Sequence, residues 1–206
     1  MKKGYWIVYL LTFNVLNAQR VIEKSLVDPQ IQFIQIDAQD CFEIFIKTTE
    51  KEEIRVEAIL EGEYRNDIDI EMVEEGDRLN IGTRYDPTFD LPNDKLSTLK
   101  SVSIALEIRI PRNKSVKLFG NSCSISIQGI FDNLDVVVAD RPCELQVEAK
   151  NTTVHTQSGD IFLSCKMGVV KTETTYGKIF REPIPKGSNH FSLTSTTGDI
   201  HLIKTD

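Results

Sequence analysis

Apolar and polar residues alternate along most of this chain, and this period of two predicts β-strands. The clearest alternation runs from Ser101 to Ile110, and Pro111 ends it because proline has no N–H to donate to a strand ladder. The inward-facing residues of this strand are Val102, Ile104, Leu106, Ile108 and Ile110. The chain is therefore predicted to be all-β.

Shorter strand patterns come before this one. Residues 31–36 and 41–46 are so dense in apolar side chains that both faces would be covered, or one edge paired. Three alternating segments follow, with a Glu-Gly-Asp turn between the last two: 54–60, 68–72 and 79–81. We predict an antiparallel sheet over residues 31–85, which seals the open first coil of the repeats described next.

One phrase returns in the second half of the chain, at residues 156–163, 174–180 and 195–202. The turn glycines of these three copies can be aligned with one residue from each of two weaker copies that precede them. The aligned residues, one per repeat, are Cys123, Cys143, Gly159, Gly177 and Gly198. The steps along this column are 20, 16, 18 and 21 residues. A period of this length is typical of a solenoid, in which each unit buries its apolar edge by stacking on the next. We expect a parallel β-solenoid of about five rungs, similar to a β-helix or β-roll.

Residue parity predicts which side chains of the repeats face inward. In the last two rungs the inward set is Val170, Ile179, Phe191, Leu193, Ile200 and Leu202. On the outer surface, Phe162, Phe180 and His201 fall in one column, which predicts an exposed aromatic ladder. Such a ladder either packs between neighbouring rungs or forms a strip that binds a sugar or a protein partner.

The N-terminus has the features of a secretory signal peptide over residues 1–18. A basic Met1-Lys2-Lys3 start precedes an apolar run too short for a membrane span of about 20 residues, and we expect cleavage after Ala18. A buried N-terminal strand is the alternative. The predicted domain order is then a β cap region over 19–112, with a loop at 86–100, followed by solenoid repeats over 113–206.

Charge argues against nucleic acid as a partner. The formal net charge is −7, and loss of Lys2 and Lys3 with the leader would make it more negative. Between Asp37 and Asp77 there are 15 acidic residues, which indicate a solvated strand face or, alternatively, a cation-binding region.

The four cysteines give no metal signature. None forms a Cys-x-x-Cys pair, and the three histidines lie at no ligand spacing from them, so we predict neither a metal site nor a cofactor. Cys123 and Cys143 occupy the same column on adjacent rungs, where a disulfide would be within reach. Buried free thiols are the alternative.

Catalysis has one candidate pair. Asp160 and Asp199 share a column, and with Lys178 between them they would stand two rungs apart, at about 9.6 Å for a ladder spacing of about 4.8 Å. That separation is compatible with acid/base hydrolysis of a polysaccharide. The Gly-Asp pairs also make ordinary turns, and we therefore favour a protein that is not an enzyme.

The recurring Ser/Thr-Gly-Asp-Ile phrase, together with residues 107–111 leading into Val116-Lys117-Leu118, resembles the putative-adhesin family of bacterial exported proteins. Residues 61–64 and 91–96 look like a Bacteroidetes-type subgroup of that family. The resemblance implies a β-solenoid without catalytic residues, located in the periplasm or at the cell surface. The protein would bind an envelope protein or glycan, or serve as a structural element of the envelope.

We also predict a weak homodimer through the final strand, from Ile200 to Thr205, because that strand would be an open edge.

Overall fold

The computed structural model describes residues 19–87 and 102–205. The predicted signal peptide and most of the predicted loop at 86–100 lie outside the described residues. Fifteen strands are described. In chain order they are β1 Arg20–Leu26, β2 Phe33–Ala38, β3 Glu43–Thr49, β4 Ile54–Gly62, β5 Ile68–Glu75, β6 Arg78–Tyr85, β7 Val102–Pro111, β8 Ser115–Gly120, β9 Ser124–Val138, β10 Cys143–Thr156, β11 Ile161–Cys165, β12 Val169–Thr174, β13 Ile179–Arg181, β14 His190–Ser195 and β15 Ile200–Lys204.

These strands form two layers that enclose one apolar core. Layer one has the order β1-β4-β7-β3-β9-β10-β11-β15-β13, and layer two has the order β5-β6-β2-β8-β9-β10-β14-β12. The long strands β9 and β10 belong to both layers, with their first halves in layer one and their second halves in layer two. Each coil of the chain therefore consists of a strand in layer two, a turn, and then a strand in layer one.

The parallel stack extends further toward the N-terminus than the sequence predicted. β2 pairs in parallel with β6 and β8, and β3 pairs in parallel with β7 and β9. Within the described residues, the antiparallel pairs are β1 with β4, β4 with β7 and β5 with β6, of which only the last lies wholly within 31–85. The prediction of one antiparallel sheet over 31–85 is thus wrong for β2 and β3. Their dense apolar pattern reflects strands that are flanked on both sides inside the stack.

The last two coils exchange places relative to their order in the sequence. β15 lies between β11 and β13, and β14 lies between β10 and β12. The final strand is therefore paired on both sides, and the prediction of an open edge from Ile200 to Thr205 is wrong. The backbone groups of Ile200 to Leu202 are paired on both sides within the chain, so the predicted homodimer has no open edge along this part of the strand.

The predicted inward parity is confirmed through most of the repeats. Phe191, Leu193, Ile200 and Leu202 are buried in the continuous core. Ile179 is the exception, with 37% of its surface exposed. It lies on β13, which among the described strands has a neighbour on one side only, so no described coil covers it.

The recurring phrase at residues 156–163, 174–180 and 195–202 forms a stack of turns that connect layer two to layer one. The carbonyl oxygen of Gly159 would lie only 2.2 Å from a Cβ at Gly198, and that of Gly198 would lie 2.1 Å from a Cβ at Gly177. Any side chain would collide with the neighbouring backbone, so glycine is required by close approach. The hydroxyl three residues earlier closes two of these turns: Ser195 Oγ accepts from the Gly198 N–H at 2.9 Å, and Thr174 Oγ1 accepts from the Gly177 N–H at 3.1 Å.

Candidate functional site

The three residues predicted to form an aromatic strip do meet on the outer face of layer one. The imidazole of His201 is stacked between the rings of Phe162 and Phe180, with centroid distances of 4.6 Å and interplanar angles of 10° on both sides. The register of the three strands produces this stack, because Phe162 and Phe180 both lie opposite His201. Their juxtaposition matches the prediction, but the two phenylalanines do not touch each other.

The order of this stack decides which ring faces remain free. Both faces of His201 are covered, and Phe162 uses one face against it. The other side of Phe162 borders a shallow groove of about 300 Å³ that Glu144 and Gln146 also line. Phe180 stands at the end of the stack and is 47% exposed. The strip therefore offers two surfaces, one toward the groove and one toward the open end of the molecule.

A second groove, which the sequence did not predict, crosses the outer face of layer two. Its volume is about 360 Å³. The strand registers place five of its lining residues in one row across five neighbouring strands: Arg78, Phe33, Ser115, Asn133 and Asn151. A second row beside it contains Gln35, Lys117, Asp135 and Thr153. We call this surface the amide groove.

Hydrogen bonds hold the amide row in place. Asn151 Nδ2 donates to Asn133 Oδ1 at 3.0 Å, and Asn133 Nδ2 donates to Ser115 Oγ at 3.1 Å. These residues are 18 apart along the chain. Asn133 and Asn151 lie within β9 and β10. The spacing of 18 from Ser115 to Asn133 to Asn151 is the signal that could have identified the row.

The rest of the amide groove combines an aromatic ring with charged side chains. Phe33 is 46% exposed and lies between Arg78 and the short side chain of Ser115 in the row. Lys117 Nζ lies 3.6 Å from Asp135 Oδ2 and 4.8 Å from the centroid of the Phe119 ring. Arg78 makes no ion pair within the described residues. The groove thus presents a ring, amide groups and one guanidinium that no described carboxylate neutralises.

Asp160 and Asp199 are closer together than the sequence predicted. They lie at the starts of adjacent strands, since β11 pairs with β15, and Lys178 is at the far side of Asp199. Asp160 Oδ1 accepts the N–H of Asp199 at 2.7 Å, and Asp199 Oδ1 accepts the N–H of Lys178 at 2.6 Å. The expected separation of two rungs is therefore wrong. Each carboxylate thus hydrogen-bonds its own turn to the neighbouring turn.

All four cysteines are buried free thiols. Cys143 lies opposite Ile125, two residues from the predicted partner Cys123, so the alignment that suggested a Cys123 to Cys143 disulfide is wrong. Burial, with a smaller contribution from Cys123 and Glu144, raises the pKa of Cys143 to about 12. Burial and the nearby Glu43 raise the pKa of Cys123 to about 12. Thiols held in this protonated state are poor nucleophiles and poor metal ligands.

Within residues 19–87 and 102–205, no group of three or more His, Cys, Asp or Glu side chains is arranged to hold a metal ion. In the same residues, no helix is long and apolar enough to cross a membrane. The aromatic stack, the amide groove and the end of the stack of coils are the features of interest on the described surface.

The fold and these outer faces define the class of protein, an all-β solenoid of two layers with aromatic and amide-lined surfaces. The chain belongs to the Toastrack DUF4097 family, whose sequence model matches residues 31–205. Comparison with curated protein sequences finds no match.

Solved structures with a similar fold include proteins described as putative adhesins. A putative cell adhesion protein from Clostridium sporogenes ATCC 15579 superposes with a TM-score of 0.62 at 9% identity, over 91% of this chain and 100% of that one. A putative adhesin from Bacteroides fragilis NCTC 9343 gives a TM-score of 0.37 at 13% identity, over 89% of this chain and 97% of that one. At these identities, the first likeness supports the fold.

Proposed function

We propose that this chain is an exported, non-enzymatic, adhesin-like binding protein of the cell envelope that holds a saccharide chain in the amide groove. The observation that carries the proposal is the row formed by Phe33, Ser115, Asn133 and Asn151 along a groove of about 360 Å³. This volume lies within the range of about 300 to 1,000 Å³ typical of small-ligand sites.

The chemistry of the row fits a polyhydroxylated ligand. An exposed phenyl ring gives an apolar surface for the C–H face of a sugar ring, and the amide groups offer both donors and acceptors to its hydroxyls. Asn133 and Asn151 are already oriented by hydrogen bonds to their neighbours, so little side-chain entropy is lost when a ligand binds. The strands beneath the row supply a rigid support.

The charge of the groove favours a neutral or weakly acidic saccharide over a polyanion. Lys117 and Asp135 lie close enough to offset each other, which leaves Arg78 as the cation of the row. The chain as a whole has a net charge of −7 and repels densely charged anions. The guanidinium of Arg78 can donate to hydroxyls or to a single carboxylate at the end of the row.

A panel of immobilised oligosaccharides, with neutral and uronate-containing members, tests the proposal on residues 19–206. We expect binding to neutral members with little dependence on salt, and a loss of at least tenfold in affinity for Phe33→Ala and for Asn133→Ala. Phe42→Ala is the matched control, because Phe42 is 49% exposed but lies outside the groove. Absence of binding to every member, or equal losses for Phe33→Ala and Phe42→Ala, would overturn the assignment.

Two lines of support favour binding over catalysis. Both carboxylates of the candidate hydrolytic pair accept backbone N–H groups of adjacent turns. The similar protein from Clostridium sporogenes is described as a putative cell adhesion protein. Hydrolysis of the same oligosaccharides that disappears in Asp160→Asn would instead support the polysaccharide-active alternative.

Export rests on the basic and apolar N-terminus, and the proposed location is the periplasm or cell surface. Intact-mass measurement of the protein from its native envelope tests this part. We expect a chain that begins after Ala18. A full-length chain recovered from the cytosol would contradict it.

A further inference from the structure

The stack of coils ends at β12 and β13, and this edge is open except at the start of β12, where Pro185 O accepts the Gly168 N–H at 2.8 Å. Within the described residues, β12 pairs only with β14, and β13 pairs only with β15. At this end several apolar side chains remain exposed: Val169, Tyr176, Ile179 and Phe180. Unpaired strand edges of this kind are templates for the addition of another strand.

The pairing within the chain shows which backbone groups of β12 face outward. The Val169 N–H donates to Asn189 O at 2.8 Å, so Val169 directs its backbone groups toward β14. In a parallel ladder, alternate residues point to opposite edges. Lys171 and Glu173 therefore also bond toward β14, whereas Val170, Thr172 and Thr174 direct their N–H and C=O groups to the open edge.

We infer that this edge binds a second copy of the chain, with β12 antiparallel to its counterpart about a two-fold axis through Thr172. In this register the two Thr172 residues exchange both N–H···O=C bonds, because each directs its N–H and C=O outward. Val170 lies opposite Thr174 of the second copy and has the same orientation. The hydrogen-bonding pattern of an antiparallel pair is thereby satisfied without moving the strand.

Side-chain charge selects a second copy as the partner. Around Thr172, Lys171 of one copy lies opposite Glu173 of the other, and the symmetry repeats this contact. These are non-hydrogen-bonded pairs, in which the facing side chains come closest, and opposite charges there stabilise the pairing. Neither Lys171 nor Glu173 makes an ion pair within the described residues. The edge is thus complementary to itself, as a two-fold interface requires.

Phe180 brings layer one into the same interface. A two-fold axis perpendicular to both layers also brings β13 toward its counterpart. Phe180, which is 47% exposed, lies on this edge of layer one. β13 has only three residues, and the Arg181 guanidinium reaches across the end of the core to Thr172 Oγ1. This short, partly capped edge favours a weak dimer over indefinite assembly.

Charge exchange tests this inference on the mature chain. Sedimentation velocity between about 10 µM and about 1 mM measures the monomer and dimer populations. We expect a concentration-dependent dimer of residues 19–206. Lys171→Glu should raise the dissociation constant at least tenfold, because it places a second carboxylate opposite Glu173.

Two further variants separate lost pairing from lost folding. The double variant Lys171→Glu with Glu173→Lys should restore dimerisation, which a merely unfolded variant cannot do. Lys51→Glu, at an exposed turn away from this edge, is the matched control and should dimerise as the parent does.

A parent protein that stays monomeric at about 1 mM would overturn the inference. So would a Lys171→Glu variant that dissociates without rescue by the double exchange. Oligosaccharide binding by the amide groove is measured separately, with Phe33→Ala, so the two proposals can fail independently.

Discussion

Gly198 packs so closely against Gly159 that a Cβ on Gly198 would lie 2.2 Å from the carbonyl oxygen of Gly159. The two residues are far apart in the sequence, yet their turns are direct neighbours because β15 lies beside β11. This contact joins the coil that ends the chain to the coil formed by β10 and β11. The stability of the repeat region should depend on it.

Gly198→Ala should lower the free energy of unfolding by about 1 to 3 kcal/mol, the usual effect of overpacking a well-packed site. Denaturant-induced unfolding, followed by circular dichroism, measures the change. Gly82→Ala is the control, because a Cβ there meets Asp37 Cβ at an ordinary 3.6 Å. Equal stability of the two variants would contradict the close approach.

Ser195→Ala should lower the free energy of unfolding by about 1 to 3 kcal/mol, because it leaves buried polar groups without partners. Ser195 is buried, and its Oγ bonds to Thr156 Oγ1 at 2.8 Å and to the Gly198 N–H at 2.9 Å. The exposed Ser192, on the same strand, is the matched control. Unfolding midpoints that do not distinguish the two variants would show that the hydroxyl does not close the turn.

Ile200→Ala should be much more destabilising than Ile179→Ala, although the two isoleucines occupy equivalent places in the repeat. Ile200 is fully buried between β11 and β13, and its truncation is expected to cost about 2 to 5 kcal/mol. Ile179 is 37% exposed at the open edge, and we expect a loss of about 1 kcal/mol or less. The comparison by equilibrium unfolding tests the exchanged order of the last two coils. The opposite ranking would favour the order of the sequence.

The cysteines should be unreactive in the folded protein. A pKa of about 12 leaves almost no thiolate on Cys123 or Cys143 near neutral pH, and we expect alkylation by iodoacetamide only after unfolding. Intact mass under non-reducing conditions should show four free thiols. A disulfide between Cys123 and Cys143, or rapid alkylation of the native chain, would contradict the structure.

The same pKa shift predicts a pH dependence of stability. The pKa of Cys143 rises from its ordinary 9.0 to about 12 on folding, so its contribution is fully present below pH 9 and is lost as the pH rises toward 12. The unfolding midpoint of the parent should therefore fall as the pH rises through this window. Cys143→Ala should be less stable at neutral pH but should show a shallower fall, and an equally steep fall would remove the role assigned to Cys143.

The sequence predicted the repeat and its physical cause well. The turns at Gly159, Gly177 and Gly198 could be recognised from the sequence, because the same short phrase surrounds each glycine. Alternation at Ile200 and Leu202 shows which side faces the core, because each β-strand has only two faces. The aromatic strip followed from the same parity, which placed Phe162, Phe180 and His201 on one outer surface.

Other predictions failed because they required the order of coils in space. Asp160 and Asp199 were expected to be two strands apart, and the final strand was expected to be an edge. Both expectations assumed that neighbours in sequence are neighbours in the stack. Cys123 and Cys143 were misaligned by two residues for a related reason, since the first repeats lack the glycine that fixes the register.

By itself, the sequence determined the strand type, the inward faces and the chemistry of each turn, because these depend on residues that are close along the chain. Only the tertiary structure decided that β14 and β15 insert beneath β12 and β13, and that Phe33, Arg78 and Asn133 share one groove. Pairing between strands is set by backbone hydrogen bonds that are nearly the same for every residue type. Which coil lies beside which is therefore settled by how the whole core packs, and local patterns do not encode it.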